Sequence, residues 1–363
     1  MRILQVITSL NIGGAEKLIV DMVPMYNQNG MQVDVLLFNG TNTQFKTQLE
    51  EKHVKVYALS TSSKNIYNPI NIFKLIPILK KYDIIHTHNT ACQLYTAIAN
   101  IFCNKVLITT EHNVTNRRRN WGWYKFIDQW MYRKYSAIIC ISDKAKDNLC
   151  NYIQTEHNIQ TIYNGINLAN YQLAEHNESS TNRKFVIVMV AGFRAQKDQD
   201  TLIKAFQHLP KDKYELWLVG DGIRRIDLER LVDTLNLRQN VRFFGNRNDI
   251  PHILKSSDVI VMSSHYEGMS LSSIEGMAAG KPFVASDVPG LHEITEGAGI
   301  LFPHENHMML ADIIIQLTSN RELYQQTVRN CLQRASKYDI RKTVQSYQNL
   351  YRNLFDSSHQ NCH

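Results

Sequence analysis

The feature that most constrains this chain is a twice-repeated alternation of short unbroken apolar runs with longer stretches of helical period. In the first half the runs fall at residues 3–7, 33–38, 84–85, 106–109, 137–141 and 161–163. Between them, residues 15–27, 43–52, 71–80, 91–102, 124–134 and 143–150 carry apolar side chains at helical spacing. A strand with one wet face alternates apolar and polar residues, whereas an unbroken apolar run must be covered on both faces. The pattern predicts a parallel sheet with helices above and below it. A polar stretch at 168–184 (LANYQLAEHNESSTNRK) then interrupts the alternation and reads as a linker. Runs resume at 186–190, 215–219, 241–244, 259–262 and 282–285, with helical stretches at 201–209, 227–235 and from about Leu271.

The expected fold class is therefore α/β, with two Rossmann-like parallel-sheet domains at 1–168 and 169–339 facing each other across a cleft. A mostly polar helix is expected over about 340–355. At 363 residues the chain is long enough for two real cores. Ligands of open α/β sheets bind beyond the carboxyl ends of the strands, so the chemistry should sit in loops that follow strands.

Composition narrows the function classes. Aromatics at 9%, with 16 Gly and 8 Pro, exclude a disordered or collagen-like chain. Six scattered cysteines (Cys92, Cys103, Cys140, Cys150, Cys331, Cys362) show neither C-x-x-C nor finger spacing, and read as reduced thiols of a cytosolic protein. The sequence opens directly on a strand-like run, without the pattern of a signal peptide, and no apolar run reaches the roughly 18–20 residues of a membrane span. Any membrane contact is expected to be peripheral. The net charge of +7 is uneven: residues 1–168 carry 18 Lys and Arg against 11 Asp and Glu, and the remainder 22 against 22. Such asymmetry predicts an anionic partner for the first half.

Three segments carry candidate chemistry. The first strand ends in Gly13-Gly14 before a helix, a turn that lets backbone approach a phosphate at the helix N-terminus. The dinucleotide fingerprint G-x-G-x-x-G is absent, which argues against a dehydrogenase. Residues 263–282 (SSHYEGMSLSSIEGMAAGKP) place Glu267 in a loop after a strand and Glu275 in the following helix. Carboxylates accept from sugar hydroxyls and free helix amides donate to phosphate oxygens, so this segment suits a nucleotide-sugar. Arg117, Arg118 and Arg119 interleaved with Trp121 and Trp123 form the focus of the basic excess. That mixture suits an anionic membrane surface, with nucleic acid or a plain solvated face as the alternatives.

Two further clusters could suggest metal. Asp198-Gln199-Asp200 starts a helix and reads as acidic residues complementing its N-terminus, while His86-Thr87-His88 reads as a cleft loop serving substrate contact or structure. No metal or cofactor is expected.

The motifs together resemble family 4 of the retaining glycosyltransferases, which have the GT-B fold. Glu267 and Glu275 with GMAAGKP match its E-x7-E signature. The likeness continues through GGAEKLI at Gly13, YDIIHTHN at Tyr82, TEHN at Thr110, ISDKAKDNL at Ile141 and IYNGIN at Ile162. It extends to AGFRAQKDQDTLIKAF at Ala191, WLVGDG at Trp217, VRFFGNRNDI at Val241 and SDVPGLHEI at Ser286.

The resemblance implies that Glu275 holds the ribose, and that Glu267 with the amides of Gly268, Met269, Ser270 and Leu271 holds the donor sugar and β-phosphate. Lys197 would sit on the diphosphate, Asn246 and Arg247 at the base, Gly14 over the phosphates, and His112 near the reacting carbon. The family's Arg five residues before its Lys is replaced by Gly192, and Arg194 is the natural substitute. The resemblance implies front-face attack, with the leaving phosphate helping to deprotonate the acceptor; Glu111 beside His112 reads as support for a strand end. The resemblance further implies that the tail helix (340–363) completes the acceptor-binding first domain. It implies a UDP- or GDP-sugar donor and a lipid-linked or oligosaccharide acceptor of surface polysaccharide assembly. The location implied is cytoplasmic, peripheral on the inner face of the membrane, with no nucleic-acid partner. A sugar-nucleotide epimerase, a phosphorylase-like GT-B enzyme and a non-catalytic nucleotide-binding membrane partner are the competing readings.

Overall fold

The computed structural model describes residues 1–360 except 12, 114–118, 120, 123, 173–182 and 269. The chain divides into two compact units, residues 1–165 with 340–363, and residues 166–339.

The first unit is built on seven parallel strands: β1 (Arg2–Ile7), β2 (Gln32–Asn39), β3 (Val56–Ser60), β4 (Ile84–His88), β5 (Val106–Glu111), β6 (Ala137–Cys140) and β7 (Ile159–Thr161). Their spatial order is β3-β2-β1-β4-β5-β6-β7. The connecting helices are α1 (Gly14–Gln28), α2 (Gln44–Glu51), α3 (Ile70–Leu79), α4 (Thr90–Asn100), α5 (Tyr124–Tyr132) and α6 (Asp143–Ile153). The central strands are buried along nearly their whole length, as runs covered on both faces must be.

The second unit contains α7 (Ala169–Gln172), β8 (Phe185–Val190), α8 (Gln199–Gln207), β9 (Tyr214–Val219), α9 (Arg225–Thr234), β10 (Val241–Gly245), α10 (Ile250–Ser256) and β11 (Val259–Met262). It continues with α11 (Leu271–Ala278), β12 (Phe283–Ser286), α12 (His292–Thr295), β13 (Ile300–Phe302), α13 (His307–Ser319) and α14 (Arg321–Ala335). Its six strands are parallel in the order β10-β9-β8-β11-β12-β13. Both sheets thus reverse direction beside their first strand, at β1/β4 and at β8/β11. In open sheets of this kind the loops leaving two such strands run to opposite faces, and ligands bind at the carboxyl edge between them.

The final helix, α15 (Ile340–Gln360), returns to the first unit. Tyr347 and Tyr351, one turn apart, are fully buried, and Tyr351 meets Tyr26 of α1 edge to face at 5.8 Å. These two rings anchor a helix whose remaining residues are mostly polar.

Several sequence expectations are corrected. His86 and His88 lie inside β4 and are buried, because β4 runs three residues beyond its apolar pair. The last strand of the first unit occupies 159–161 rather than 161–163. The polar stretch at 168–184 is not all linker: it starts with α7, whose Tyr171 enters the second unit's core, and Arg183 near its end clamps Asp258 with two bonds of 2.7 and 2.8 Å.

Candidate active site

In the second unit the switch point brings together the loops that follow β8 and β11. The first carries Arg194 and Lys197 and ends at Asp198, whose side chain caps α8 by accepting from the Thr201 amide at 3.2 Å. The second carries Glu267. Lys197 Nζ donates to Glu267 Oε1 at 2.5 Å, and the Ser264 hydroxyl donates to the same oxygen at 2.6 Å. The Glu267 side chain is 6% exposed and that of Lys197 19%. Two such charges lose much of their hydration, so each depends on the other, and removing one leaves an uncompensated charge in a low-dielectric setting.

Backbone contacts tie the two loops into one piece. The His265 amide donates to the Gln196 carbonyl at 2.8 Å, and the Gln196 side-chain amide donates to the Tyr266 carbonyl at 2.8 Å. Gly290 closes the loop from the other side. It has φ of +90°, and a Cβ there would stand 2.1 Å from the Glu267 carbonyl oxygen. Only glycine gives both the conformation and the space.

Behind Glu267, α11 starts with Ser270 as its cap, accepting from the Ser273 amide at 3.3 Å. Gly268 precedes the cap and Leu271 opens the helix, so the amides of this turn follow Glu267 directly in sequence. Glu275 is the fifth residue of α11 and is buried. Met269 lies outside the described residues.

Arg194 is exposed, and among the described residues no carboxylate pairs with it. Its Nε stands 3.9 Å from the point where a Cβ on Gly192 would be, so the side chain folds over the residue that lacks the expected cation. Asn246 and Arg247 lie exposed in the loop after β10, where Arg247 is forked onto Asp249 at 2.7 and 2.8 Å. Asp200 is committed to Arg224 at 2.5 and 3.0 Å. Burial raises the Asp200 pKa, but the bonds and charge of Arg224 outweigh it and hold the carboxyl below its usual range.

In the first unit Gly14 opens α1 with its surface exposed, and His112 follows β5 in a half-buried position. Behind His112 runs a chain of neutral groups that sequence reasoning missed. His112 Nε2 and His88 Nδ1 are 2.8 Å apart, and His88 Nε2 lies 2.7 Å from Gln5 Oε1. Gln5 Nε2 donates to the Tyr351 hydroxyl at 3.0 Å, which lies 2.7 Å from His86 Nδ1, and His86 Nε2 lies 2.8 Å from Thr110 Oγ1. Because the Gln5 oxygen must accept, His88 carries its proton on Nε2, and its Nδ1 accepts from His112 Nε2. His112 therefore keeps Nδ1 as its acceptor atom. Burial lowers the pKa of His86 to about 3 and of His112 to about 4, the latter against an upward push from the Glu111 charge. Burial also holds His88 far below its usual value. The available signal was the two-residue spacing of His86 and His88, which puts both on one face of a strand.

Glu111 is occupied structurally, accepting from Gln93 Nε2 at 2.5 Å, the Tyr132 hydroxyl at 2.7 Å and Arg119 at 3.4 Å. This corrects the surface reading of Arg119. Its guanidinium turns inward to Glu111 and lies over the Tyr152 ring at 5.3 Å, so its charge is spent inside the unit. Trp121 is exposed, whereas Arg117, Arg118 and Trp123 lie outside the described residues. Among the described residues no helix is long and apolar enough to cross a membrane.

The comparisons with known proteins agree with this layout. Residues 172–334 match the model of glycosyl transferases group 1, and residues 12–170 that of Glycosyltransferase Family 4. An Escherichia coli relative, UDP-Gal:alpha-D-GlcNAc-diphosphoundecaprenol alpha-1,3-galactosyltransferase, is 25% identical over 79% of each chain. An uncharacterised glycosyltransferase of Haemophilus influenzae is 27% identical over 93% of this chain and 96% of its own. Among solved structures, Anabaena Alr3699/HepE in complex with UDP-glucose superposes with a TM-score of 0.83 at 23% identity, covering 97% of this chain and all of that one. With two parallel-sheet units, the motifs in order and both family models matched in sequence, the chain belongs to glycosyltransferase family 4 and has the GT-B fold.

Proposed function

We propose that this glycosyltransferase moves a hexose or N-acetylhexosamine from a UDP- or GDP-sugar to a lipid-linked glycan in surface polysaccharide synthesis, with retention of configuration. The observation that carries the donor side is the Lys197–Glu267 pair beside the N-terminal turn of α11. As the bond from the sugar carbon to the β-phosphate breaks, negative charge gathers on the diphosphate. Lys197, Arg194 and the amides of Gly268 to Leu271 are the groups assigned to stabilise that charge, in the manner of an oxyanion hole. A metal is not needed for this step. Glu267 orients Lys197 and accepts from sugar hydroxyls, while Glu275 takes the ribose and Asn246 and Arg247 the base. Gly14 is assigned to the phosphates. His112, neutral and with Nδ1 as acceptor, is assigned to a hydroxyl of the transferred sugar.

Retention through a covalent intermediate would need a carboxylate on the opposite face of the sugar. Glu111 is committed to three partners, which favours front-face attack. In that step the acceptor oxygen bonds the sugar carbon as the phosphate oxygen leaves, and the acceptor's proton passes to the departing phosphate. The E. coli relative's name supplies the acceptor class, a diphosphoundecaprenol-linked sugar. A peripheral position on the inner face of the membrane is supported by the first unit's surface. Ile70, Phe73, Ile101, Phe102, Trp121 and Phe126 are all more than half exposed there, amid the basic excess. Aromatic and aliphatic side chains flanked by Lys and Arg suit an anionic headgroup layer.

A thermal-shift panel of nucleotide-sugars tests the donor, because a bound ligand raises the unfolding midpoint by mass action. One UDP- or GDP-sugar should stand out and be hydrolysed slowly without acceptor. If no nucleotide-sugar shifts the midpoint, or if Glu267→Ala transfers sugar normally, the proposal fails.

A further inference from the structure

A second cluster of ligating groups lies next to the donor loops. Asp198, the residue after Lys197, uses only one carboxylate oxygen to cap α8; the other, Oδ2, is buried and has no hydrogen-bond partner among the described residues. The residue is 4% exposed. Oδ2 points at His265, two residues before Glu267, whose Nδ1 is 3.9 Å away. His265 Nδ1 in turn lies 2.7 Å from Nε2 of His304, in the loop after β13, and 3.5 Å from Glu305 Oε1. One ligand atom from each of Asp198, His265 and His304 falls within 4.8 Å of the others.

We propose that Asp198, His265 and His304 bind a first-row divalent cation of the zinc class, with Glu305 or water completing the shell. Two imidazoles and a carboxylate suit Zn2+, Co2+ or Ni2+ and disfavour Mg2+ or Ca2+, which take oxygen shells. Asp198 and Glu305 each bring a carboxylate oxygen within 4 Å of His265 Nδ1, so the histidine pair has oxygen donors beside it. Zinc–ligand bonds of about 2.0–2.1 Å place tetrahedral ligand atoms roughly 3.3 Å apart, so the histidine nitrogens must separate by roughly 0.6 Å as the ion enters. His304 sits in an exposed loop that can supply this movement. The ion joins the loops after β8, β11 and β13, and two of its ligands are one and two residues from Lys197 and Glu267. Its role is to fix the donor loops, with no part in the transfer chemistry assigned above.

The test is titration of the chelator-stripped full chain with Zn2+ by calorimetry and with Co2+ by visible absorption. The parent chain should take up an ion with a rise in unfolding midpoint, and Co2+ should show the intense bands of a four- or five-coordinate site. His304→Ala should bind one ion fewer and lose those bands. Asp198→Asn, which keeps the oxygen that caps α8, should weaken binding at least tenfold. If the parent chain takes up no ion, or if His265→Ala and His304→Ala bind as many ions as tightly as the parent, the site does not exist.

Discussion

The two units bury polar groups in opposite ways. In the first unit the groups behind His112 are neutral and linked head to tail, from His112 through His88 and Gln5 to Tyr351 and His86. In the second, the comparable strand edge holds a charged pair, Lys197 with Glu267, and Asp200 in the first turn of α8 is forked by Arg224. Net charge runs the other way. The first unit carries 21 Lys and Arg against 12 Asp and Glu, and the second 19 against 21. The basic excess therefore lies outside the first unit's buried network, where it can act as a field. The nearly neutral second unit handles charge through a few placed contacts. A field draws a partner surface, whereas a preorganised pair stabilises charge at one atom.

The comparison breaks most decisively at the charged pair. Glu267→Gln or Lys197→Ala should lower transfer by about 10²–10³-fold, the scale of losing a preorganised electrostatic group. Steady-state kinetics checks this, and normal rates would reduce the pair to a structural ion pair.

Acid should act on the first unit through its histidines. His86 and His112 titrate at about 3 and about 4 when folded but near 6.5 when unfolded, so below pH 6.5 the unfolded chain binds more protons. Their contribution is intact above pH 6.5 and declines as pH falls toward 4, by up to about 1.4 kcal/mol per pH unit for one buried histidine. Unfolding curves between pH 7 and 5 should show the loss, and His86→Gln should flatten it.

His88→Ala leaves Gln5 Oε1 and His112 Nε2 without partners, at a cost of about 2–3 kcal/mol in denaturant unfolding. Its effect on donor affinity should be smaller than its effect on stability, because of the donor's assigned contacts only the one sugar hydroxyl at His112 depends on His88. Gly290→Ala should do the reverse. With φ of +90° and the Glu267 carbonyl in the way, it should cost about 1–2 kcal/mol and weaken donor binding measured by calorimetry. The smallest effect per side chain concerns the field. Neutralising Arg117 and Arg118 should weaken binding to phosphatidylserine vesicles by about 1 kcal/mol per charge and spare donor affinity. Arg119, already paired with Glu111, should contribute to fold stability instead.

Much of this architecture was legible in the sequence because buried parallel strands are apolar along their whole length. Val259–Met262 is an example, read to the residue. Elements lacking that mark escaped. β3 is half exposed, β13 has three residues, and α13 and α14 were not delimited. The Glu267 loop was legible because its residues are adjacent in sequence. The relay behind His112 was not, since Gln5, His88 and Tyr351 come from three distant elements and each is unremarkable in its own segment. Asp198 likewise reads from sequence as an acidic residue complementing a helix N-terminus, and only the fold brings His265 and His304 to its second oxygen.

The most direct test of the central claim measures donor affinity and turnover together in Glu267→Gln, using the nucleotide-sugar that stabilises the parent chain. If the pair stabilises the departing diphosphate, kcat should fall about 10²–10³-fold while calorimetric donor affinity falls by less than about tenfold. Turnover within twofold of the parent chain would contradict the account.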